Sequence, residues 1–108
     1  MGHSFADFTP DLFQPYVGQT FAFAASGEDA ETVPMELLEV QTLRASGHPG
    51  LRAAPFLLLF RSADGRTPAR DWIRLIHPDF AACELTVQRI MPPLGWPPAG
   101  VYFQAVFN

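Results

Sequence analysis

Apolar and polar positions alternate with a period of two along most of this chain, broken by clusters rich in Gly and Pro. The exception is Phe56-Leu57-Leu58-Leu59-Phe60, an unbroken apolar run stopped by Arg61. Such a run is too short for a buried helix and reads as a strand covered on both faces, so a central strand is expected over about 56–61. Upstream, Thr20–Ala25 alternates large and small residues, which puts Phe21 and Phe23 on one inward face. Residues 33–43 admit two readings. As a helix the segment has Pro34 near its start and Leu37, Leu38 and Val40 on one side; as a strand it alternates except at Leu37-Leu38, a doubled pair that marks a bulge. The strand is the expectation. Downstream, Trp72–His77 turns Ile73, Leu75 and His77 to one face and Trp72, Arg74 and Ile76 to the other. Residues 82–90 place Cys83, Leu85 and Val87 inward with Glu84, Thr86 and Gln88 outward. Residues 101–108 put Val101, Phe103, Ala105 and Phe107 on the core side.

The connections carry turn chemistry. Ser26-Gly27-Glu28-Asp29 is a turn, residues 44–53 form a loop around Ser46-Gly47-His48-Pro49-Gly50, and Pro78-Asp79 starts another turn. Residues 62–71, with Asp64-Gly65 and Pro68, read as a hairpin connection longer than two residues. Residues 91–100 form a proline-rich loop that cannot be regular structure. Before the first strand, Thr9 suits an N-cap, Pro10 the first helical position and Asp11 the positive end of the helix dipole, while Pro15 and Gly18 end the segment. Phe8, Leu12, Phe13 and Tyr16 at helical spacing would let this short helix plug one end of a sheet. Six strands with no helix long enough for parallel crossovers imply an antiparallel sheet. With this much apolar surface it should curl into a small six-stranded barrel or fold as a two-sheet sandwich. The expected fold is therefore all-β, a single domain over residues 1–108 with a short N-terminal helix.

Composition narrows the picture further. A chain of 108 residues, 48% hydrophobic and 17% charged, can bury one real core without staples. A lone Cys83 and the lack of a basic segment followed by an apolar stretch near the start point to a cytoplasmic protein. No apolar run approaches the roughly 20 residues of a membrane helix, so no membrane partner is expected. A net charge of -4, with seven scattered Arg and no Lys, argues against a nucleic-acid surface. The preference for Arg, Ala, Pro and Gly fits a GC-rich bacterial genome.

Several residues together carry a resemblance: Phe8; Val17-Gly18 with Thr20-Phe21; Ala54-Pro55-Phe56 with Leu59-Phe60-Arg61; His77-Pro78; and Tyr102 with Ala105-Val106-Phe107-Asn108. The chain resembles a family of small bacterial single-domain proteins of unknown function, about a hundred residues long and mostly β. The resemblance implies a fold, not a catalytic role. It also implies an accessory or assembly part, because such proteins are associated with phage-tail-collar or tail-fibre-like proteins. The proline-rich segment before the last strand departs from that pattern.

Candidate chemistry is sparse. His3, His48 and His77 lie far apart and fall into no metal-ligand spacing. His77, on a core face, is expected as a neutral imidazole bonded to a backbone carbonyl, and Cys83 as a small apolar packing residue. Glu36 with Glu39, and Asp64 with Asp71, read as solvated surface rather than acid–base pairs. Gly27, Gly47, Gly50 and Gly65 form no phosphate-cradling series. No catalytic residue, cofactor or metal is implied. Exposed aromatics say more. Trp96, between Gly95 and Pro97-Pro98, is either a rigidly presented anchor or a cap folded over the barrel end. Trp72, Ile76 and Arg74 form either a partner-binding stripe or the seat of the N-terminal helix. The expected function is a non-enzymatic protein-binding or assembly module with Trp96, Trp72, Ile76 and Arg74 as contact residues. A small-ligand carrier or barrel enzyme with a site near His77, and a structural homo-oligomer, are the alternatives.

Overall fold

A computed structural model describes residues 9–25, 32–43, 55–68 and 71–107. The expected turn at 26–29 and loop at 44–53 lie outside the described residues, as do Phe8, His3, His48 and Asn108. A four-residue helix, α1 (Pro10–Phe13), runs directly into a 3-10 turn over Gln14–Tyr16. Thr9 has the extended backbone of an N-cap, although its side chain makes no capping hydrogen bond. Seven strands follow: β1 (Thr20–Ala25), β2 (Thr32–Thr42), β3 (Phe56–Ser62), β4 (Trp72–His77), β5 (Phe80–Thr86), β6 (Gln88–Ile90) and β7 (Tyr102–Phe107).

All pairings are antiparallel, in the order β5-β4-β1-β2-β3-β7-β6. The two ends of that order are one continuous piece of chain. The strand expected over 82–90 is divided at Val87, whose N–H donates to Asp71 O at 2.9 Å, so its first part pairs with β4 and its last part with β7. This change of partner nearly closes the sheet into a barrel and raises the strand count from six to seven. It also decides between barrel and sandwich. Within the barrel, β1-β2-β3 and β4-β5/β6-β7 form two meanders joined first strand to first strand and last to last.

That topology corrects the hairpin expected over residues 62–71. β3 pairs with β2 and β7, never with β4, so the connection crosses one end of the barrel. There Ala63 N–H donates to Pro34 O at 3.0 Å, while Arg66 holds Asp64 at 2.6 Å and reaches Thr32 O at 3.2 Å. Turn residues and length describe a loop well; they say nothing about which strand waits at its far side. The bulge expected at Leu37-Leu38 is present: Leu37 faces Phe60 and Glu39 faces Leu59, leaving Leu38 as the extra residue.

Inward positions follow the alternation. Phe21, Phe23, Val33, Met35, Leu37, Phe56, Leu58, Phe60, Ile73, Leu75, Leu85, Val87, Phe103, Ala105 and Phe107 form one buried core. Phe60 lies at its centre, edge-on to Phe23 at 4.9 Å and to Phe21 at 5.9 Å. Phe56 and Phe107 are direct cross-strand partners and stack at 4.5 Å with ring planes 4° apart. Phe13 from α1 covers that stack from the barrel end, 6.0 Å from Phe56 and 5.7 Å from Phe107. Each such aromatic contact adds about 0.5–1.5 kcal/mol beyond area burial. The rings and their aliphatic neighbours thus share the interior of the barrel.

Truncating the central ring tests this packing. Phe60→Ala should lower unfolding stability by about 3–5 kcal/mol in urea titration, whereas Thr86→Ala on the exposed face of β5 should stay within about 0.5 kcal/mol. Equal effects would mean that the core is not centred on Phe60.

Candidate functional site

The proline-rich loop is built on an outer face made apolar by three strands. Leu59 of β3 and Tyr102 of β7 point away from the lumen, and the β2 bulge adds Leu38; together they form a second buried cluster. Leu57, Ile90 and Trp96 pack against it. The run Phe56–Phe60 is thus covered on both faces, as its continuous apolarity requires. Tyr102, wholly buried, donates its hydroxyl proton to Pro97 O at 2.8 Å. Trp96 N–H closes a turn onto Pro93 O at 3.1 Å, and Gly100 N–H another onto Pro97 O at 3.3 Å. Gly95, at φ 92°, supplies the left-handed third residue of a type II turn. A Cβ at Gly100 would sit 2.6 Å from the Tyr102 ring, so glycine there allows the ring to lie under the loop.

Trp96 therefore does not cap the barrel end. Half-buried, it roots the loop on the outer face because Leu38, Leu59 and Tyr102 offer an apolar seat there. The exposed residues are ones that sequence reasoning passed over. Leu94, at the corner of the turn, is 104% exposed relative to a reference chain, and Met91 is 85% exposed. The available signal was the Pro93–Trp96 turn itself, which puts Leu94 at its outward corner.

A second exposed surface lies on β4. Trp72 is 46% and Ile76 37% exposed, and α1 does not cover them, since Phe13 is committed to the barrel end. Glu84, directly across from Arg74 on β5, accepts from Trp72 Nε1 at 3.2 Å and pairs with Arg74 at 3.6 Å. One carboxylate thus holds the indole and the guanidinium in a row across the sheet.

His77 and Cys83 are both inward. His77 Nδ1 accepts from Asp79 N–H at 3.0 Å, so the ring proton sits on Nε2 and is donated to Gln19 Oε1 at 2.7 Å. Its partners are a backbone N–H and a side-chain amide rather than the expected backbone carbonyl. Tyr16 and Phe21 lie against the imidazole at 4.9 and 4.7 Å, and Tyr16 donates to Asp79 O at 3.2 Å. The cluster ties the 3-10 turn to the β4–β5 turn. Cys83 is half-buried, and burial pushes its thiol from 9.0 up to about 11. Of the carboxylates, Glu36 pairs with Arg61 at 2.7 Å and Asp64 with Arg66. Among the described residues, no three of His, Cys, Asp and Glu are grouped to hold a metal ion.

Two outcomes check this geometry. At Gly95 an added Cβ would meet open space, so Gly95→Ala should cost only the left-handed backbone, about 1–2 kcal/mol by thermal unfolding; no change would mean the turn is not formed. Cys83 should resist iodoacetamide at pH 8 until the protein is denatured. Because its folded thiol ionises later than the unfolded one, stability should fall as pH rises from 9 through about 11. Fast labelling of the native protein would refute the burial.

No helix of the described residues is long and apolar enough to cross a membrane. No curated protein and no solved structure matches the chain. A domain of unknown function, DUF6916, matches residues 8–107, and with nearly the whole chain covered, this protein belongs to that family.

Proposed function

We propose that this domain is a non-enzymatic protein-binding module, an accessory in an assembly, working in the cytoplasm of a bacterium. The observation that carries the reading is Leu94, fully exposed at the tip of a loop held by Tyr102, Trp96 and two turns. An apolar side chain presented on a preordered support loses little entropy on docking, which favours its use as an anchor in a partner's pocket. Met91 extends the same contact. Trp96 contributes from beneath by fixing the loop, and the part in assembly is the one implied by the family resemblance.

The β4 face supports a second reading, a homo-oligomer through Trp72, Arg74 and Ile76. Trp and Arg held in one row are the residue types that dominate interface energetics. Sedimentation of the wild type against Ile76→Asp separates the two readings: a dimer dispersed by the substitution would establish the second.

The first reading is tested by Leu94→Asp. Affinity capture from cells of the source organism should recover a defined protein with the wild type and lose it with Leu94→Asp. Unfolding stability should stay within about 0.5 kcal/mol, because Leu94 has no buried surface to lose. Recovery of the same protein by both chains would overturn the role of the loop.

A further inference from the structure

Across the outer face runs a row of direct register partners: Glu36 on β2, Arg61 on β3, Tyr102 on β7 and Ile90 on β6. Within it Arg61 donates to Glu36 Oε1 at 2.7 Å. The two side chains are 33% and 31% exposed, and an ion pair so open to water adds little to stability by itself. Its place in the row says more than its charge. The neighbour of Arg61 on the other side is Tyr102, whose hydroxyl holds the proline-rich loop.

That loop needs an outside fastening. Pro92, Pro93, Pro97 and Pro98 have no N–H, which leaves it few donors with which to knit itself. It is fastened through an acceptor instead: Pro97 O takes the Tyr102 hydroxyl proton at 2.8 Å and the Gly100 N–H at 3.3 Å. A tyrosine hydroxyl has one proton to give, and a guanidinium only donates. Beside Arg61 the hydroxyl therefore accepts, and its proton is left for Pro97 O. The hydrogen bond to Glu36 raises the Arg61 pKa from its ordinary value, burial opposes the rise, and a hydrogen bond to the Tyr102 side chain adds to it. The guanidinium thus serves both neighbours.

We infer that Arg61 is the positioning residue of the loop: fixed by Glu36, it donates to the Tyr102 hydroxyl, directs that proton onto Pro97 O and so steadies the support from which Leu94 projects. A planar fork suits the task, because one arm stays on Glu36 while another meets Tyr102, a spread that the point charge of a lysine does not offer. The inference rests on the protein-binding reading, in which a loop already held still docks at a small entropic cost, and it names what holds the loop still.

The test is amide hydrogen exchange of the full chain, followed residue by residue by NMR. Arg61→Met should speed exchange of the Gly100 and Trp96 amides roughly tenfold, the size expected on losing one hydrogen bond, while Ile73 and Leu75 on β4 exchange as before. Glu36→Ala should have the same effect, and Glu36→Gln, which keeps an acceptor oxygen for Arg61, should retain the slow exchange. In a Tyr102→Phe background Arg61→Met should add nothing, because the group through which it acts is gone. Unchanged exchange at Gly100 and Trp96 in Arg61→Met, the same acceleration with and without the Tyr102 hydroxyl, or Glu36→Gln behaving as Glu36→Ala would each overturn the inference. So would an equal acceleration on β4, which would make Arg61 a general stabiliser. All of these are read on the chain alone, so failure of this tie and failure of capture through Leu94 are told apart.

Discussion

Closure of the barrel rests on one strand serving two neighbours. Residues 80–86 are bonded to β4 and residues 88–90 to β7, with Val87 buried at the point of exchange and its N–H turned onto Asp71. A barrel this narrow holds side chains and little else, and the inward Phe residues from β1, β3 and β7 fill it. Without the change of partner, a strand kept wholly on β4 would itself end the sheet as one open edge and leave β7 as the other. With it, backbone demand and core packing are satisfied by the same eleven residues.

Both outward surfaces depend on that closure. Once the lumen is full, apolar residues on the outer face need another cover, and for Leu38, Leu59 and Tyr102 the cover is the proline-rich loop. The loop in turn cannot bury everything it carries: with Trp96 seated inward, the turn at Gly95 directs Leu94 to solvent. On the opposite part of the sheet no loop of the described residues covers Trp72 and Ile76, and Glu84 fixes the row instead. The polar cluster of His77, Gln19, Asp79 and Tyr16 is a clasp at the plugged end, with each imidazole nitrogen used.

Much of this was legible in the sequence because side-chain direction is a local property. Alternation in β1, β4, β5 and β7 names the inward residues correctly, and the doubled Leu37-Leu38 locates a real bulge. The neighbours of each strand were not legible, because Asp64-Gly65 and Pro68 are equally at home in a hairpin and in a crossover. The division at Val87 was read past, although the alternation lapses just beyond it, where Arg89 takes the place of an inward residue and Ile90 that of an outward one. For Trp96 the sequence left open an exposed anchor or a cap on the barrel end, and neither names its seat, which is assembled from residues 38, 59 and 102, far apart in the chain. Leu94 escaped notice because exposure of one residue follows from burial of another.

The joining of the two meanders also has a consequence for the order of events in folding. β1 finds its second neighbour only when β4 has been made, and β3 only when β7 has, at separations of about fifty and forty-five residues. During synthesis β1-β2-β3 can form early, yet the flank of β1 stays unpaired until β4 is made and the flank of β3 until β7 is made. Closure is thus a late event set by β7, and the most vulnerable state is a nascent one in which the β3 edge is open to other chains.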